Sequence, residues 1–138
     1  LERIGDHAIN IANRAQRLAE DDTHFSQDAL KEINIMESLC NNILDELIIL
    51  DYDEFKNIVD KVDIMEDNID KTQHQFAVNQ LIRLKEKKCS TENSIIYTKI
   101  LTDFERIGDH GLNIAESLYH IRKIMKQMKM IKPEIEEA

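Results

Sequence analysis

Eleven residues near the start of the chain return almost unchanged towards its end. Glu2-Arg3-Ile4-Gly5-Asp6-His7-Ala8-Ile9-Asn10-Ile11-Ala12 and Glu105-Arg106-Ile107-Gly108-Asp109-His110-Gly111-Leu112-Asn113-Ile114-Ala115 share nine identities in eleven positions at an offset of 103 residues. An offset that long marks duplication of a multi-helix unit, not a short solenoid repeat. Residues 1–20 then form the last helix of a truncated first repeat, and residues 21–131 a complete second repeat of three helices. Residues 132–138 form a polar tail expected to fray. Leu1 falls inside a motif, so the chain reads as a fragment of a longer polypeptide whose first repeat has two further helices upstream.

The text between the copies is helical. Three glycines, one proline and no tryptophan leave few places for tight turns, which suits long helices joined by short links. In the first helix, to about Ala19, Ile4, Ala8, Ile11 and Ala15 recur at helical spacing. Ser26 is positioned to cap a second helix reaching Leu50, with Phe25 and Leu30 placed as a staple. Its stripe is Met36, Cys40, Ile43, Leu47 and Leu50. Asp51 or Asp53 caps a third helix, whose row Phe55, Ile58, Val62, Met65, Ile69, Thr72 and Phe76 has bundle-seam spacing as far as Lys85. Ser90 caps the fourth helix, Thr91 to about Met130, and Pro133 closes it. No window alternates with period two for long enough to make a strand. The fold expected is all-α, an antiparallel up-down bundle of four helices.

Charge narrows the function. Acidic residues outnumber basic ones 27 to 18, which argues against a nucleic-acid surface, because phosphate backbones are held by clustered Lys and Arg. The acid is concentrated between Asp45 and Asp70, and Arg122 to Lys132 is a basic run. Cys40 and Cys89 form no C-x-x-C pair, which fits a reducing cytoplasmic setting. Cys40 lies on an apolar stripe and Cys89 in a link. The longest aliphatic run, Leu47 to Leu50, is far short of the roughly 20 residues that span a bilayer.

The motif itself suggests chemistry. At about 100° per residue, Glu2 and Asp6 lie about 40° apart on their helix, and Asn10 a further 40° round, giving one stripe of oxygen ligands. Asn113 repeats Asn10. Two such helices facing one another would gather Glu2, Asp6, Glu105 and Asp109, whose mutual repulsion calls for cations or protons. His7 and His110 point about 100° away and suit a surface role or inter-helix hydrogen bonding better than ligation. Gly5 and Gly108 each cost about 1 kcal/mol within a helix relative to alanine, so their recurrence implies close backbone approach or a crowded site. Asp63, Glu66 and Asp70 form a second acidic stripe, ordinary for a solvated face when taken alone. A single motif copy would also be ordinary; its near-verbatim return favours a specific role. Neither a Glu-x-x-His di-iron pattern, a Ser-His-Asp set nor a glycine-rich phosphate loop occurs, so no catalytic residue is expected.

The doubled Glu-Arg-Ile-Gly-Asp-His-x-x-Asn-Ile-Ala segment resembles the signature that closes each three-helix repeat of PhoU-type domains. That resemblance implies multinuclear metal binding, by divalent or iron ions, at Glu2, Asp6, Glu105 and Asp109, with Glu66 and Asp70 as a looser secondary pair. The run Leu81-x-Arg83-Leu84 to Cys89, then Tyr97-x-x-Ile100-Leu101, is similar to the C-terminal PhoU-like cytosolic domain of bacterial Na/Pi cotransporter-related proteins. It implies a non-enzymatic regulatory domain on the cytoplasmic side of an inner-membrane transporter. The partners implied are the transporter's membrane portion or phosphate-sensing proteins, with self-association into a homo-oligomer. A free-standing PhoU regulator of the phosphate-specific transport system is the alternative, and a purely structural or oligomerising bundle the rival from another class.

Overall fold

The computed structural model describes residues 1–48 and 55–136, with side chains through Ile48 and from Asn57 to Met128. It contains α1 (Glu2–Glu20), α2 (Gln27–Ile48), α3 (Phe55–Lys85) and α4 (Thr91–Glu136), and the described residues include no strand. The caps expected at Ser26 and Ser90 form: Ser26 Oγ accepts from the Ala29 amide at 3.2 Å and Ser90 Oγ from the Asn93 amide at 3.1 Å. Leu50, Asp51 and Asp53 lie outside the described residues. α4 corrects one expectation, since it continues through Pro133 to Glu136. A proline removes one backbone donor and crowds the preceding turn, which kinks or breaks a helix; here the helical backbone persists through it.

Two links close without glycine. Leu18 and Arg83 carbonyls accept from the Thr23 and Lys88 amides at 2.9 and 2.8 Å, while Ala19 and Leu84 accept from Asp22 and Lys87 at 3.3 and 3.1 Å. This paired pattern satisfies the last carbonyls of a helix and needs a left-handed residue after it. Asp22 at φ 51° and Lys87 at φ 58° fill that position.

The helices alternate in direction. Glu46 meets Lys61 and Glu32 meets Arg83, so α2 and α3 are antiparallel; α1 meets α4 with rising numbers against falling ones, His7 at Asp103 and Arg14 as far back as Lys99. Among the described residues α2, α3 and α4 each pack closely on the other two, whereas α1 packs closely on α4. The core therefore lies inside the triangle of α2, α3 and α4. Met36, Cys40 and Ile43 of α2, Ile58, Val62 and Ile69 of α3, and Tyr97, Leu101 and Phe104 of α4 fill it. Each large apolar side chain so buried contributes about 1.5–3 kcal/mol. Cys40 is a core residue: its thiol donates to the Phe104 carbonyl at 3.2 Å, and burial pushes its pKa up to about 12.

One end of this triangle is polar. Glu32 occupies the inward position between Ala29 and Met36 on α2 and is only 8% exposed. Arg83 donates to both its oxygens, at 3.2 and 2.7 Å, Asn79 donates at 2.8 Å, and the Tyr97 hydroxyl closes a short hydrogen bond. Burial opposes the charge on Glu32, but the bonds from Arg83, Tyr97 and Asn79 outweigh it and hold the pKa below the ordinary carboxylate value. A buried ion pair fixes register at a net cost close to zero, but losing one partner is expensive. Among the described residues no helix is long and apolar enough to cross a membrane.

Candidate metal centre

The second motif copy lies in α4 facing α3. Ile69 is buried at the crossing, and a Cβ on Gly108 would come 3.1 Å from Ile69 Cδ1. The bare glycine lets α3 approach. On either side of Ile69 the acids at 66 and 70 are thereby brought against the motif's Glu105 and Asp109. Carboxylate oxygens of Glu66, Asp70 and Asp109 all lie within 4.8 Å of one another.

The electrostatics follow from that crowding. Burial raises the Glu66 carboxyl, as do a hydrogen bond with Asp109 and the charges of Asp70, Asp109 and Asp63, pushing it up to about 7. Asp70 is raised by burial and by Asp109 and Asp67, against a lowering hydrogen bond from Glu66. Glu105 is raised by burial, then by Asp70 and Asp109, with Arg106 opposing. Arg106 stands 3.7 Å from Asp109 on the outer side of α4. Asp70 Oδ1 is buried with no hydrogen-bond partner. Like charges held this close, with one oxygen unsatisfied, are relieved by a proton or a cation. An all-oxygen donor set suits hard ions such as magnesium, calcium or manganese, and iron as well.

The first motif copy is placed differently. Glu2, Asp6 and Asn10 are exposed on α1, and the carboxylate group formed by Glu66, Asp70 and Asp109 does not include Glu2 or Asp6. The two copies instead meet through matching residues of another face. His7 and His110 stack with ring centroids 5.5 Å apart, and Ile4 and Ile107 are both buried. His7 Nδ1 bonds Asp103 at 2.8 Å, and Arg14 forms an ion pair with the same carboxylate. Of the two roles expected for the motif histidines, surface exposure and inter-helix hydrogen bonding, His7 performs the second. His110 supplies the stacking ring, its pKa lowered by burial and then by His7 and Arg3. Gly5 has nothing within 4 Å of a would-be Cβ, unlike Gly108. Asn113 is exposed.

Two functional elements escaped the sequence reading. Asp103, 6% exposed, anchors α1 to α4, and its signal is an acid between the apolar Leu101 and Phe104. Glu32 gave the same signal, standing where the α2 stripe requires an apolar residue.

A family model described as PhoU domain matches residues 20–118. The chain belongs to the PhoU family. It is 30% identical over 129 residues to the phosphate-specific transport system accessory protein PhoU homolog 1 of Thermotoga maritima, covering 92% of this chain and 55% of that protein. It is 28% identical over 126 residues to the phosphate-specific transport system accessory protein PhoU homolog of Clostridium acetobutylicum, covering 88% of this chain and 54% of that protein. The chain thus spans about half the length of the curated relatives it matches. No solved structure matches it. The PhoU match covers α2, α3 and the motif-bearing part of α4, and so contains every residue of the Glu66–Asp70–Asp109 group.

Proposed function

We propose that this PhoU chain is a non-enzymatic regulatory component of phosphate uptake, cytoplasmic in location, whose α3–α4 crossing holds a metal ion. Glu66, Asp70 and Asp109 would be its ligands, with Glu105 beside them. The observation that carries the site is the convergence of three carboxylates around a buried, unpartnered Asp70 oxygen. A bound cation supplies positive charge that cancels their repulsion and ties α3 to α4; the chain's own residues supply hard oxygen donors on two rigid helices. Both curated relatives are named accessory proteins of the phosphate-specific transport system, which favours an accessory role over attachment to a Na/Pi cotransporter. Partners are then the transporter or a phosphate-sensing protein. Glu2 and Asp6 are read as half of a second site, completed by helices equivalent to α2 and α3, because the α1 face around Gly5 is bare where its α4 counterpart packs.

Metal occupancy is tested by elemental analysis of purified protein and by melting with added magnesium, manganese, iron or zinc. A ligand at a hundredfold excess over its Kd stabilises by about 2.7 kcal/mol. Glu66→Gln with Asp109→Asn should abolish the bound metal and the shift. Absence of metal in the wild type, with no shift from any ion, would return the acids to a solubilising role. The regulatory reading predicts that deleting the gene alters phosphate-responsive transcription in phosphate-replete cells; an unchanged response would overturn it.

A further inference from the structure

The end of the triangle that holds the Glu32 network also encloses a cavity. Its volume is about 160 Å³, and Phe25, Ser26, Gln80, Lys88, Cys89 and Asn93 are among its walls, from the start of α2, the end of α3 and the start of α4. All of them lie within the residues matched as a PhoU domain. Asn93 is only 7% exposed. Its backbone amide donates to Ser90 Oγ at 3.1 Å and its side-chain nitrogen to the His24 carbonyl at 3.0 Å. Turning the side-chain amide over would set oxygen against that carbonyl, so its orientation is fixed. The acceptor that Asn93 brings to the cavity wall is therefore its oxygen, which is buried and has no hydrogen-bond partner among the described residues. A buried acceptor without a donor is costly, and the cavity suits an occupant that presents an O–H or N–H.

Cys89 stands at the same wall, a free and partly exposed thiol. Gln80, 2% exposed, accepts from Arg83 Nε at 2.8 Å through its oxygen, so its nitrogen is left for the sulfur and donates to Cys89 Sγ at 3.4 Å. Arg83 is itself forked onto Glu32. A chain of hydrogen bonds anchored in the core thus positions the sulfur of a link residue.

We propose that Cys89 is an oxidation site for a small hydroperoxide, hydrogen peroxide above all, and that Asn93 receives the O–H of the sulfenic acid that forms. The thiolate sulfur attacks one peroxide oxygen, and the S–O bond forms as the O–O bond breaks. Sulfur gives up two electrons; the other oxygen leaves as hydroxide and takes the proton that the thiol released, giving water. The S–H of the starting thiol is a weak donor, whereas peroxide and sulfenic acid each bring the O–H that Asn93 lacks. Volume selects the oxidant. At about 160 Å³ the space is close to that of a cavity which holds benzene, ample for peroxide and too small for glutathione. Cys40 is buried, donates to the Phe104 carbonyl and does not line the cavity, so it offers no second thiol there. The site shares no residue with the acids of the α3–α4 crossing and does not depend on the metal reading.

Dimedone trapping with peptide mapping, on reduced full chain given stoichiometric hydrogen peroxide and a chelator, tests this. Folded protein should label at Cys89 and not at Cys40. Its sulfenic acid should outlast that formed at Cys89 in urea by at least about fivefold, the equilibrium equivalent of one net hydrogen bond. Asn93→Ala should lose that gain and pass on to the sulfinic acid with helical circular dichroism retained; should the variant not fold, the folded and urea-treated wild type still decide. Oxidised glutathione should leave Cys89 of the folded chain unmodified. A sulfenic acid no longer-lived in the folded chain than in urea overturns the proposal, the Asn93 oxygen then being met by water only. So does an unchanged lifetime in folded Asn93→Ala, or a mixed disulfide with glutathione that forms as readily in the folded chain as in urea.

Discussion

Glu66 illustrates how one residue reports on a site. Its carboxyl is pushed up to about 7, from an ordinary 4.5, by burial and by the acids around it. A group whose folded pKa exceeds its unfolded value binds more protons when folded, so its contribution is present at low pH and is lost as pH rises through the window from 4.5 to 7. Metal-free protein should accordingly melt at progressively lower temperature across that window, and saturating divalent cation should flatten the profile. Glu66→Gln removes the ionisation and should stabilise metal-free protein at pH 8 by about 1 kcal/mol, while eliminating the cation effect. Thermal melts of the two proteins with and without chelator measure both; a wild-type profile that rises with pH through the window contradicts the assignment.

Glycine usage is best understood at the level of the helices. Gly111 of α4 aligns with Ala8 of α1, one of the two positions at which the motif copies differ. A Cβ at 111 would stand 2.5 Å from Ile43 Cγ2, a methyl next to the backbone of a buried residue, which cannot swing aside like the tip of a longer chain. Gly111→Ala should cost about 1–3 kcal/mol by overpacking, outweighing the helix propensity gained. Gly5→Ala meets no atom within 4 Å and should add up to about 1 kcal/mol to this chain. The link after α3 offers a complementary case. Lys87 adopts φ 58°, where a side chain costs about 1–2 kcal/mol, so Lys87→Gly should stabilise by about 0.5–1 kcal/mol. Urea denaturation of the three variants gives both signs.

For the molecule as a whole, the Glu32–Arg83–Tyr97 network joins α2, α3 and α4 at one end of the triangle, and the acidic crossing sets its behaviour towards the other. Arg83→Ala leaves a buried carboxylate unpaired and should cost about 3–5 kcal/mol, read as a fall in the urea midpoint. Glu32→Gln keeps the shape and should cost less. The two sites respond to pH in opposite directions. Glu32, with a lowered pKa, contributes stability above the unfolded carboxylate range that disappears as pH falls; Glu66, Asp70 and Glu105, with raised values, lose theirs as pH climbs. Metal-free protein should be most stable in mildly acidic solution, and an optimum above pH 8 would contradict that balance.

Helix number, order and capping were legible in the sequence because they are local: seam spacing in Met36–Ile43 and Ile58–Ile69, and hydroxyls at Ser26 and Ser90, act within a few turns. The duplicated motif singled out Glu105 and Asp109, whereas the spacing of Asp63, Glu66 and Asp70 read as an ordinary solvated stripe, and only the PhoU resemblance set Glu66 and Asp70 apart as a looser pair. What spacing could not supply was the partner of each stripe. The symmetry of the two copies suggested that their carboxylates face one another, whereas in the folded chain the copies meet through the stacked rings of His7 and His110, and the α4 acids turn to α3. A stripe defines an angle about its own helix; which neighbour lies at that angle depends on how apolar faces such as Ile69 on Gly108 close the bundle, and only the tertiary structure decides it.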